Sequence, residues 1–452
     1  MSINMSLLIC ILFLLKGPLL AQNPTLARYI EDGLNSNLQL QQEALNYERS
    51  VENLNIARAL FLPHLAASSS YTWANGGRKI AFPIGDLMNP VYTTLNSLTG
   101  TNNFQMLENQ NIQFLPNDFH DTKLRLIQPI FNPDIYFNYK AQKELISIQE
   151  AQKKAYENEL KFNITSSYYQ YLQSEEAHNI LMQTQSLLQE LLKINQRLVA
   201  NDKATNDVVL NAQYELSKIE QQLTEAEKNS AIAKSYFNFL LNRDLDSAIE
   251  KDTMHINAIV AKYNLNELTS TALTQRQELK QAEGGKLTNH QLVALSKANA
   301  MLPQVSLVGD AGYQGFQYRF DDDQRYWLVQ FSLSWDLFKG GEKRAKTQRA
   351  KIDYQVAENR LEQLKKQIQL QVIQSYHELE AAQHSFSAAQ RGVRSAERSF
   401  QIIRSKYNEG QAIMLEYLDA ENKLTTARLT QAISTYELLR KEAALQKTIA
   451  NL

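Results

Sequence analysis

Cysteine is almost absent. The one copy, Cys10, lies in an apolar run at the amino terminus of the 452 residues. Beyond that run there is no thiol, which excludes a disulfide framework, a cysteine metal site and a thiol nucleophile. Proline is scarce and unevenly placed: of nine, none falls between 134 and 302 and none follows Pro303. Such stretches leave room for very long helices, because proline is the residue that most reliably stops one. Charge of one sign is lacking too. With 47 basic against 48 acidic residues, a pI near 6.7 and no basic stripe, nothing argues for nucleic acid. Mean hydropathy is −0.41, and no segment beyond the amino terminus is apolar enough to cross a bilayer as a helix. If the protein enters a membrane, it does so as strands.

Patterns for catalysis are missing as well. There is no nucleotide loop, nucleophile elbow or metal-binding pair. His377 and His384 stand seven apart, and His377-Glu378 lacks the second His of a zinc-protease motif. Both read as solvated helix residues, so no catalytic residue, cofactor or metal is expected. Gly284-Gly285 reads as a helix break rather than a phosphate site. Tyr168, Tyr169 and Tyr171 read as packing between helices.

What the chain does have is a strand of unusual character at 326–338. Trp327, Val329, Phe331, Leu333, Trp335 and Leu337 alternate with Leu328, Gln330, Ser332, Ser334 and Asp336. A period of two, large and apolar on one side and mostly small and polar on the other, specifies a strand. Aromatic residues bracketing an aliphatic middle fit a membrane barrel strand whose other face meets water. Trp327, Val329, Phe331, Leu333 and Trp335 are therefore expected to face lipid. Trp73, closing a weaker alternation over 64–73, joins them.

Residues 7–15 form an apolar run of signal-peptide length, and Ala21 precedes a cleavable Gln22, so 1–21 is expected to be a removed signal. A helical stretch over 26–61 ends at Leu62-Pro63, and a strand follows at 64–73. Residues 75–120, rich in Gly, Pro, Asn and Thr, read as a loop far too long for a compact soluble domain but ordinary outside a membrane barrel. A second strand at 121–128 leads to an uninterrupted helical stretch over 135–199, roughly 100 Å long if straight. The chain breaks at 201–206 and runs back as a helix over 207–241. After a polar connector at 243–264 the plan recurs: helix to Leu302-Pro303, strands at 304–316 and 326–338, helix over 342–408, a break at Glu409-Gly410-Gln411, helix over 412–451. Ser167-Tyr168 matches Ser375-Tyr376 at an offset of 208 (375 − 167), and Leu210-Asn211-Ala212 matches Leu418-Asp419-Ala420 at the same offset. The chain is thus read as two repeats, 22–242 and 265–452.

Four strands cannot close a membrane barrel, and an open sheet edge in lipid is prohibitively costly. Several chains must share one barrel, and three would give twelve strands. The repeat, the Leu-Pro strand entries, the Leu-Phe-Lys-Gly-Gly strand exit and the Leu-Asp-Ala following the second turn together resemble the TolC-type outer-membrane efflux proteins, over essentially the whole chain from Gln22. The resemblance implies a homotrimer in the outer membrane of a Gram-negative bacterium. It implies a shared barrel, a helical tunnel through the periplasm, a periplasmic adaptor protein and an inner-membrane transporter as partners. It also places Asn201, Asp202, Lys203, Gly410, Gln411 and Ala412 at an adaptor-contacting tip, and Glu416 and Asp419 at a gate. Val208 and Asn211 stand at the matching positions of the first repeat, so acidic groups come from the second alone. By themselves, Glu416 and Asp419 also suit a plainer role, since acids near a helix start complement its dipole. A secreted coiled-coil scaffold or adhesin is the other reading of the long helices, but it leaves the tryptophan-bearing strands without a purpose.

Overall fold

The computed structural model describes residues 24–251 and 263–452. The expected signal with Cys10, and residues 252–262 of the connector, lie outside the described residues. In chain order the elements are α1 (Pro24–Ser36), α2 (Leu38–Ala59), β1 (His64–Thr72), β2 (Lys79–Phe82), α3 (Ile84–Thr99), β3 (Gln110–Gln113), β4 (Phe119–Phe131), α4 (Pro133–Ala200), α5 (Asp207–Leu240), α6 (Leu265–Gln275), α7 (Gln277–Met301), β5 (Gln304–Phe316), β6 (Arg325–Ser334), α8 (Glu342–Asn408) and α9 (Met414–Thr448). They form two compact units. One gathers the residues up to Val51 with Glu144–Asn289 and Asp353–Leu452; the other holds Glu52–Lys143 and His290–Ile352.

In the second unit, four antiparallel strands lie in the order β1-β4-β5-β6, so a strand from each half of the chain meets at the centre. Leu126 stands opposite Leu65 and Gly309, which in turn is opposite Val329. Alternation therefore stacks Leu65, Ala67, Leu124, Leu126, Ala311, Trp327, Val329 and Phe331 on one face. The sequence alternation runs on to Phe338, but β6 ends at Ser334 because its partner begins there: Gln304 pairs with Ser334, and Pro303 before it has no N–H to donate. Pro129, inside the central β4, sits at a register shift between Pro129 and Phe131, where a missing donor is tolerated.

The stretch over 75–120, expected to be a loop, contains the antiparallel pair β2–β3 and, between its strands, the 16-residue helix α3. At four residues each, these strands are too short to register a period. Asn89-Pro90, a turn signal in isolation, falls inside the helix.

The first unit is built around the greater part of α4 and α8, helices of 68 and 67 residues. At this length the core is a series of clusters along the helices. One joins Tyr29 of α1 to Leu160, Ile164 and Tyr168 of α4 and Phe237 of α5, with the Tyr29 and Phe237 rings edge-on at 5.0 Å. Another joins Leu268 of α6 to Ile368, Val372 and Leu379 of α8 and Leu438 and Leu445 of α9. A third, nearer the two turns, holds Leu188 and Leu191 of α4 with Ile219 of α5, Phe400 of α8, and Met414 and Leu418 of α9. Tyr168 is fully buried, as packing requires.

Two expectations for the helices are corrected. Gly284-Gly285 does not break a helix. Gly284 lies inside α7, where a Cβ would come within 2.6 Å of the Ile148 side chain, so its role is to let two helices approach. The break lies instead at Arg276, between α6 and α7. The first helical stretch is likewise divided at Asn37, whose side-chain oxygen accepts from the Leu40 N–H at 3.0 Å while its amide donates to the Leu240 carbonyl at 2.9 Å.

Candidate gate and conduit surfaces

The turns joining α4 to α5 and α8 to α9 carry the expected tip residues. Asn201, Asp202, Lys203, Gly410 and Gln411 are exposed and Ala412 is half-buried. The Asn201 side chain donates to the Arg197 carbonyl at 2.6 Å, closing off the end of α4. Beside the turns stand exposed apolar residues: Leu210 and Tyr214 on α5, Ile413 and Leu415 at the start of α9.

Glu416 and Asp419 come together on the exposed side of the first turns of α9. Glu416 accepts from the backbone N–H of Ile413 at 3.1 Å, which satisfies one of the donors that every helix start leaves open. Asp419 pairs with Lys423 one turn on, at 2.6 Å. Within one chain, then, each acid has a local partner of modest strength, and both face water.

Sequence reading missed the polar contact that ties the two turns together. Asn195 of α4 is fully buried. Its side-chain oxygen accepts from the Tyr407 hydroxyl of α8 at 2.6 Å, and its amide reaches the Val208 carbonyl at 3.3 Å and the Met414 sulfur at 3.4 Å. The Tyr407 ring lies 5.1 Å from that of Tyr417, which itself meets Phe400 at 5.4 Å. Burial pushes the Tyr417 hydroxyl up to about 12 and raises that of Tyr407 as well, so Tyr407 remains a neutral donor at any physiological pH. A signal was present in the sequence: Leu188, Leu191, Asn195 and Leu198 follow heptad spacing, with an amide where the seam calls for an apolar group.

A little further along the helices lies a buried acid that was also missed. Glu421, 2% exposed, accepts from the Thr425 hydroxyl at 2.6 Å, and Thr425 meets Thr184 of α4 at 2.8 Å.

In the sheet, Trp327 and Phe331 are 78% and 76% exposed on the apolar face, with Val329, Leu333 and Trp335 exposed beside them; Trp73 is exposed past the end of β1. The other face is charged. Arg125 makes a two-pronged pair with Asp310 at 2.8 and 2.7 Å, and Asp121 takes both the Lys123 ammonium and the Tyr326 hydroxyl. A sheet with ion pairs on one side and exposed tryptophan on the other is suited to separating water from lipid. No helix among the described residues is long and apolar enough to cross a membrane.

Residues 268–451 match the family described as outer membrane efflux protein. The chain is 22% identical to outer membrane protein TolC of Escherichia coli (strain K12), over 96% of this chain and 83% of that one. Among solved structures, the CmeC outer membrane channel of Campylobacter jejuni has a TM-score of 0.77 at 17% identity, covering 95% of this chain and 86% of that chain. The MtrE outer membrane channel of Neisseria gonorrhoeae, in its open state, has a TM-score of 0.73 at 16% identity, covering 94% of this chain and 89% of that one.

Proposed function

Given that this chain is a TolC-type outer-membrane efflux protein of a Gram-negative bacterium, we propose that it is the exit duct of a tripartite efflux pump or a type I secretion system, a passive conduit opened at its periplasmic tip. The observation that carries this reading is the sheet. Its outer strands, β1 and β6, each have one edge without a partner among the described residues, and its apolar face is exposed. Lipid does not tolerate unpaired backbone, so β6 of one copy pairs with β1 of the next, and three copies close a twelve-stranded barrel. The charged face bearing Arg125 and Asp310 lines its lumen. The two repeats supply the two strand pairs and the two helical arms of each copy.

At the tips, a periplasmic adaptor engages the exposed turns, and an inner-membrane transporter loads the cargo. The Tyr407–Asn195 hydrogen bond holds the two turns of one chain together. Glu416 and Asp419, three residues apart on one helix face, come from three chains to place up to six carboxylates around the axis. Rings of this kind attract cations. In planar bilayers, Glu416→Gln with Asp419→Asn is expected to weaken cation selectivity and to relieve block by multivalent cations. Unchanged selectivity and block in an intact trimer would place the gate elsewhere.

A further inference from the structure

The segment between β1 and β4 is not used by the duct as described. It is well built. Asn89 of α3 donates to the Leu107 carbonyl at 2.9 Å and accepts from the Leu107 N–H at 2.8 Å. Asn96 does the same with Phe104, at 2.8 and 3.1 Å, and the Phe104 ring lies 5.6 Å from that of Tyr92. Asn109 bridges to Asp86. Gly100, with φ of 65°, turns the chain out of the helix in a conformation that suits glycine. One side of α3 is therefore occupied by residues 104–109.

The other side is bare and apolar. Leu87 is 66% exposed and Leu98 78%, with Val91 and Thr94 exposed between them. The spacing of Leu87, Val91, Thr94 and Leu98 is four, three, four, the period of a helix seam that packs against other helices. No charged residue falls between Asp86 and Glu108. A helix lying on a membrane surface would carry Lys or Arg along its rim and a broad apolar arc; α3 has neither.

From this face we propose that the α3 helices of three copies pack on one another through Leu87, Val91, Thr94 and Leu98, capping the outer mouth of the barrel. The proposal rests on the trimeric duct described above. The dimensions agree. Twelve strands about 4.8 Å apart and tilted about 40° enclose a circle roughly 24 Å across. Three helices, each about 10–12 Å thick, fill that width, and 16 residues give a length of about 24 Å. Burying the three seams together removes from water an apolar surface that the outside of a cell would otherwise meet.

Single cysteines test the cap in the full-length protein with Cys10 changed to Ser. Under a mild oxidant, Val91→Cys is expected to convert as many as two of every three chains to disulfide-linked dimers, because β-carbons that meet on an axis lie within bridging distance. Thr93→Cys, exposed on the opposite side of the same helix, is expected to stay monomeric on a denaturing gel. Leu98→Cys repeats the test at the far end of the seam, should Val91→Cys disturb folding. An intact trimer in which neither Val91→Cys nor Leu98→Cys cross-links overturns the cap. Shielding of those thiols from an aqueous maleimide without cross-linking overturns it in favour of lipid contact. A wild-type protein of monomeric mass in detergent sinks the trimer and the cap together.

Discussion

Glu421 sits where a carboxylate is least at ease. Burial pushes its carboxyl above the ordinary value of 4.5, and Glu215 on α5 pushes the same way, while the hydrogen bond from Thr425 and the Lys218 ammonium only partly oppose them. Between that value and the raised one, the folded chain holds a proton that the unfolded chain has released. Stability falls as pH rises from about 4.5 toward the folded value and is level above it. Glu421→Gln keeps an acceptor for Thr425 and removes the ionisation. Its melting temperature is expected to change less between pH 5 and pH 7.5 than that of the wild type; parallel pH profiles would show that water reaches the carboxyl. Residues of this kind were the least legible in the sequence. Glu416 and Asp419 could be put at the start of a helix because a turn and a motif flank them. Glu421 lies two residues beyond, and Leu418 and Leu424, three residues to either side, put it on the apolar face of the helix, a signal that its own charge disguises. Asn195 and Tyr407 lie 212 residues apart, and only folding brings them together.

At the scale of the element, the long helices and the main strands could be read because their signals are long and repetitive. The 68 residues of α4 offer many chances to register a helical period, whereas the four-residue β2 and β3 offer none. Breaks were harder, since a helix tolerates Gly284 where a neighbour needs the space, and divides at Asn37 where a side chain can cap the new start. For β6 the alternation makes a sharp expectation. Phe331 is on the proposed lipid face and Ser334 on the proposed lumen face. Phe331→Arg is expected to cost about 2–4 kcal/mol if it lies near the middle of the bilayer, read as a lower unfolding midpoint of the inserted trimer. Ser334→Arg adds a cation to a face that already carries Arg125 and Lys123, and is expected to insert normally. Equal tolerance at both positions would mean that the faces have been assigned the wrong way round.

For the whole molecule, the division into two compact units has a functional consequence. The sheet unit carries the proposed lipid face, and its pairings involve no residue beyond Ile352 or between 144 and 289. The helical unit carries the turns, and its cluster nearest them draws Leu181, Leu188 and Leu191 from α4 and Ala212 and Ile219 from α5. Removing residues 180–220 and rejoining the shortened arms takes away all five of those side chains together with the first turn. It leaves Phe400, Met414 and Leu418 without the surface that covers them, so the second arm loses its support at the same level. The strands and their pairing partners remain. Such a chain is expected to reach the outer membrane and form a trimer, and to fail to export the cargo of its pump. Fractionation shows the first outcome and an export assay the second. Normal export from the deleted chain would mean that coupling to the pump does not pass through the turns at all, and the duct would have to be loaded by another route.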